Sequence, residues 1–243
     1  MTGRVSNQTG QQRGEGPAMG RGAVALRLIV FLVVLLALAL LLAGRWDWWG
    51  GWLWVLAYAV VMLGSLPFYT IEAELAEERA TLKEDVKNWD KAMTTVLSLF
   101  VPFGFPILAA LDVRFGWTQV TFPLWLMLGA ALIFMAGTAF SVWAAAVNRF
   151  YTRYVRIQTD RGHHVISDGP YGVVRHPCYA GILLTLLVMP AVLGSTWLWI
   201  ATAICGAVLV VRTVLEDRTL QAELPGYVDY MRRVRYQLLP GIW

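Results

Sequence analysis

The chain has 243 residues, 58% of them hydrophobic and 15% charged, with 20 Lys and Arg against 16 Asp and Glu and a formal charge of +4. A soluble domain carries about a quarter charged residues, so this composition excludes an ordinary soluble enzyme and implies a membrane protein. The basic residues border apolar runs instead of forming one soluble patch, which suits anionic lipid headgroups and argues against nucleic acid as a partner.

Residues 1–22 are rich in Gly, Gln and Arg without apolar periodicity, and are expected to form a disordered tail. Ala23 to Ala43 is apolar except for Arg27. It exceeds a signal-peptide core and no small-residue cleavage site follows, so it should stay as an anchor. Trp46, Trp48, Trp49, Trp52 and Trp54 then gather as amphipathic rings do at a membrane surface, and a second span is expected from Trp52 to Tyr69. Between Glu72 and Lys91, Leu75, Leu82, Val86, Trp89 and Met93 recur at helical spacing opposite Arg79, Lys83, Lys87 and Lys91. That pattern predicts an amphipathic helix over 72–91 lying on the cytoplasmic face.

A third span is expected over Ala92–Leu111, kinked by Pro102 and Pro106, and a fourth over Phe122–Val147. After the polar segment Asn148–His176, Tyr179–Leu193 and Trp197–Val214 are joined through Gly194 and Ser195, which predicts a tight helical hairpin. Counted from Pro177 its first arm reaches roughly 25 Å, barely the thickness of the hydrocarbon layer. The expected architecture is therefore all-α and polytopic, with six transmembrane helices and cytoplasmic interfacial helices. Lys and Arg number three in the N-terminus, four in 70–91, five in 149–176 and five from Arg212 onward, against Arg45 and Arg114 on the other side. The positive-inside rule then puts both termini in the cytoplasm, with the protein in the cytoplasmic membrane.

Asp168 to Gly181, DGPYGVVRHPCYAG, holds the densest chemistry. Gly169-Pro170 reads as a turn and Pro177 as the first residue of a helix, which leaves Arg175 and His176 at a helix entrance suited to an anionic group. A hairpin would return Arg212, Glu216 and Asp217 to the same surface. Charges next to hydrocarbon cost about 2.5–3.5 kcal/mol each at the bilayer centre, so they should be paired or should line a polar cavity. His163, His164 and His176 lack metal-ligand spacing, and Cys178 and Cys205 read as free thiols, so no metal is expected. No phosphate-binding glycine loop or serine nucleophile elbow is present.

GHHVISDGPYGVVRHPCYAG, followed after the hairpin by EDRTLQAELPGYVDYMRRVRYQLLPG, resembles the isoprenylcysteine carboxyl methyltransferase family of integral membrane enzymes that use S-adenosylmethionine. The resemblance covers about residues 148–243, which it marks as the catalytic region behind an N-terminal membrane region over 23–147. It implies cofactor contacts from His163, Val165, Gly169, Tyr171, Arg175, His176, Pro177, Tyr179 and Glu216. The family's acidic pair is usually two glutamates; here it is Glu216-Asp217. Arg175 or the N–H groups after His176 would hold the donor's carboxylate and Glu216 its ammonium or ribose, with Tyr171, Tyr179, Tyr227 and Tyr230 as walls. A lipophilic acceptor, prenylated or otherwise, would enter from the lipid. An isoprenylcysteine-type carboxylate needs no base, whereas a thiol would need one, for which His176 is the candidate. Two other readings stay open: a sterol-reductase-like membrane enzyme using NADPH, and a non-catalytic membrane scaffold.

Overall fold

A computed structural model describes residues 21–66 and 86–243, and every regular element among them is helical. Most of the predicted helix 72–91 and the tail up to residue 20 lie outside the described residues. Helix α1 (Arg21–Ala43) is a run of Leu, Val and Ala that ends at Gly44, whose φ of 70° closes the helix. Helix α2 (Trp49–Ser65) carries Gly50 and Gly51 in its first turn, and the glycine at 50 is required by packing. A Cβ there would stand 2.5 Å from the carbonyl oxygen of Leu193, which also accepts a hydrogen bond from the Trp48 indole N–H at 3.1 Å.

Helix α3 (Asn88–Leu99), one π-type turn (Phe100–Gly104) and helix α4 (Phe105–Phe115) run on as a single apolar segment. The disturbance expected from Pro102 and Pro106 is thus a wider turn, which accommodates their missing N–H groups without ending the helix. The segment also starts earlier than Ala92. Asn88 to Lys91 belong to it, because Asp90 is fully buried against Arg212 and can enter the helical stack.

Helix α5 (Leu124–Val147) packs most extensively on α6 (Pro177–Leu193). Their backbones approach at Gly137 and Gly181, and the Ser141 hydroxyl donates to the Cys178 carbonyl at 2.9 Å. Small residues at a crossing are how membrane helices gain close contact. Gly194 (φ 71°) ends α6, and α7 (Leu198–Glu223) follows and packs against it. A short α8 (Tyr227–Arg233) completes the order. At the α6–α7 turn, buried Asp112 of α4 accepts hydrogen bonds from the Ser195 hydroxyl and from the Thr118 backbone and side chain.

Among the described residues four helices are long and apolar enough to cross a membrane: 22–43, 88–115, 124–147 and 198–223. They correspond to four of the six expected spans. The other two, α2 and α6, are apolar but only 17 residues each. At about 1.5 Å per residue that is roughly 25 Å, short of the ~30 Å hydrocarbon layer. Large side chains such as Leu41, Leu56, Leu132 and Ile204 are exposed on the helices, as a lipid-facing surface requires. Cys178 and Cys205 are buried and unbridged.

Candidate functional site

The site forms where the segment between α5 and α6 meets the last turns of α7 and the start of α8. Gly169 takes a φ of 56° and opens a 3-10 turn (Gly169–Gly172) that turns Tyr171 inward. Pro177 occupies the first turn of α6, where its fixed φ and absent N–H cost nothing. The two residues before it are stitched to the C-terminal segment: the Arg175 N–H donates to the Tyr236 carbonyl and the His176 N–H to that of Gln237, both at 2.9 Å.

Their side chains then meet Asp217. Arg175 donates from Nε to Oδ1 at 2.9 Å and from Nη2 to Oδ2 at 3.2 Å. Its Nη1 donates to the carbonyls of Val234 and Arg235. Asp217 also accepts from the Tyr227 hydroxyl at 2.7 Å and from Gln221 at 2.8 Å, and lies 3.1 Å from His176 Nε2. Arg175 and Asp217 are both buried, so this is a saturated internal ion pair with its charges compensated.

Glu216, one residue earlier, has a different environment. Its carboxylate accepts a hydrogen bond from the Tyr179 hydroxyl and stands 4.0 Å from His176 Nδ1. Among the described residues no Lys or Arg pairs with it. The Arg212 guanidinium, one helical turn before it, is instead held by Asp90, 2.6 Å from Nε, and lies 4.9 Å from the centre of the Tyr179 ring.

Glu216 faces a cavity whose atom-free volume is about 770 Å³ including its open mouth. Of the residues expected at the site, His163, Val165, Tyr171, Arg175, His176, Tyr179, Glu216, Tyr227 and Tyr230 line it. Gly169 and Pro177 do not, and act through the backbone turn and the helix start. Burial pushes the hydroxyls of Tyr171, Tyr227 and Tyr230 above their usual range, so they stay neutral. The Tyr230 hydroxyl donates to the Tyr171 carbonyl at 2.7 Å, which joins α8 to the 3-10 turn.

His163 packs against Phe150, with ring centres 4.6 Å apart, and its Nδ1 accepts the Gln158 backbone N–H at 3.3 Å. That bond fixes the neutral tautomer with hydrogen on Nε2. Burial first, then His164, Arg156 and Arg161, push its pKa down to about 4. The unfolded imidazole titrates near 6.5, so the unfolded chain binds more protons between these values and stability falls as pH drops from about 6.5 to about 4. In a titration followed by NMR, the His163 ring is expected to change near pH 4; a midpoint near 6.5 would contradict this placement.

Phe150, Tyr151, Ile166, Leu220 and Leu224 also line the cavity but carry no motif. Phe150-Tyr151 could have been suspected from their place directly after a span. Among the described residues no group of three or more His, Cys, Asp or Glu could hold a metal ion. No curated protein matches the chain. Residues 126–222, from within α5 to the end of α7 and thus across Arg175, His176, Tyr179 and Glu216, match the model of the Isoprenylcysteine carboxyl methyltransferase (ICMT) family, the family these motifs resemble.

Proposed function

We propose that the protein is a membrane methyltransferase that uses S-adenosylmethionine and methylates a lipophilic acceptor. The observation that carries this reading is the charge balance of the cavity. Arg175 and Arg212 are consumed by Asp217 and Asp90, and Arg156 by Asp160, whereas Glu216 faces the cavity without a Lys or Arg among the described residues. A cavity walled largely by aromatic side chains, with one carboxylate that no Lys or Arg among the described residues pairs with directly, favours a cation. It fits a sulfonium bearing an ammonium better than the phosphates of NADPH, which would need spare guanidinium groups.

S-adenosylmethionine supplies a methyl group already activated on a sulfonium. The protein's part is then to bind, to align and to exclude water. Glu216 holds the ammonium and is oriented by the Tyr179 hydroxyl. Arg175 is saturated, so its role is to position the RHPCY turn, and the donor's carboxylate goes to the positive end of the α6 dipole. His163 offers an Nε2–H to the ribose or adenine. The acceptor, an isoprenylcysteine-type carboxylate or a thiol, arrives from the bilayer, and the site faces the cytoplasm.

Calorimetry with S-adenosylhomocysteine and NADPH tests this. Binding of S-adenosylhomocysteine alone is expected, and NADPH alone would end the proposal. Glu216→Gln should weaken S-adenosylhomocysteine binding by about 10- to 100-fold, the worth of one charge-assisted hydrogen bond, with an unchanged melting temperature.

A further inference from the structure

The charge balance of the cavity depends on a residue outside the stretch that matches the family. Asp90 lies in the first turn of α3, wholly buried, and its carboxylate grips the Arg212 guanidinium through both oxygens at 2.6 and 3.4 Å. The same carboxylate accepts the N–H of Val155, a cavity residue, at 2.7 Å, and Lys87 N–H donates to the Val155 carbonyl at 3.2 Å. Arg212 Nη2 makes its remaining bond to the Arg153 carbonyl at 2.8 Å. Arg212 and Glu216 are four residues apart on α7, the spacing at which an arginine and a carboxylate on one helix face meet and pair.

We propose that Asp90 is a positioning residue of the cavity: it engages Arg212 so that no direct ion pair closes with Glu216, and so leaves that carboxylate available to a cationic ligand. This rests on the donor reading given above. A buried guanidinium cannot stand without a counter-charge. When Asp90 is lost, the nearest carboxylate along the helix is Glu216, and closing that pair would neutralise the one acid that faces the cavity. Helix α3 thereby sets the ligand charge that the α6–α7 site accepts, although it contributes no lining side chain of its own.

The test combines rescue with a measurement that needs no ligand. Asp90→Asn is expected to weaken S-adenosylhomocysteine binding by about tenfold or more, and Asp90→Asn with Arg212→Met to restore it to within about threefold. A double variant as weak as the single, or a single variant that binds like the wild type, overturns the proposal; the melting temperatures separate it from a merely structural Asp90, whose loss removing Arg212 would also relieve. Without ligand, Glu216→Gln should leave the wild-type melting temperature unchanged but lower that of Asp90→Asn, since Glu216 has then become the partner of Arg212. Equal shifts in both backgrounds would overturn the proposal. If Asp90→Asn does not fold, Asp90→Glu keeps the charge and should bind S-adenosylhomocysteine within about threefold of the wild type; a folded Asp90→Glu that binds tenfold more weakly would refute it. If the wild type binds no S-adenosylhomocysteine, the donor reading fails, and the melting temperatures alone decide whether Asp90 restrains Arg212.

Discussion

Asp217→Asn is expected to lower the melting temperature of the purified protein by about 10 °C. The substitution keeps the shape of the side chain and removes only its charge. It leaves the buried Arg175 guanidinium with carbonyl partners but no counter-ion, and weakens the bonds to Tyr227 and Gln221. Breaking a buried pair from one side costs about 3–5 kcal/mol, and for a chain of this size each kcal/mol moves the midpoint by about 2–4 °C. A thermal melt followed by circular dichroism in detergent gives the answer. A shift under about 2 °C would mean that the carboxylate is dispensable to the fold. The contrast with Glu216→Gln is informative: two adjacent acids, one holding the fold and one facing the cavity.

Gly181→Leu is expected to be comparably damaging through a different cause. A Cβ at this position would fall 2.5 Å from the carbonyl oxygen of Gly137, backbone that cannot rotate away, and closer still to the Ser141 hydroxyl. α5 and α6 would have to separate, and α6 carries Tyr179 into the cavity. Overpacking of a well-filled interior costs about 1–3 kcal/mol and occasionally more; a leucine against backbone belongs at the upper end. Unfolding in a denaturing detergent should show the loss, and Gly206→Leu is the control, because a Cβ there meets nothing closer than 3.9 Å. Equal losses in the two variants would remove the crossing as the cause.

Much of this arrangement was legible in the chain itself. Long runs such as 22–43 and 124–147 declare themselves by composition, since nothing but hydrocarbon accommodates such helices. The RHPCY turn was readable because Gly169 accepts a positive φ that other residues resist and Pro177 suits a first helical turn, where no N–H is needed. The part played by Arg175 was harder to see. A guanidinium at a helix entrance suggests a ligand contact, and only the fold shows that Asp217 and two carbonyls already occupy it. Asp90 was hidden for the same reason: in sequence it is one more charge in the highly charged stretch 72–91, and its burial depends on a partner 122 residues away. Pairings between distant residues leave no periodic trace, whereas apolar faces do.

The backbone bonds from Arg175 and His176 to Tyr236 and Gln237 bear on how the protein is made. The RHPCY residues leave the ribosome roughly sixty positions before their partners, an interval of about 3–12 s at ordinary rates of synthesis. During that time α5 and α6 can already dock through Gly137 and Gly181, while the N–H groups at the rim wait for acceptors. Assembly of the membrane bundle and closure of the cavity are therefore separate events in biogenesis, and the second waits until Tyr236 and Gln237 have been made.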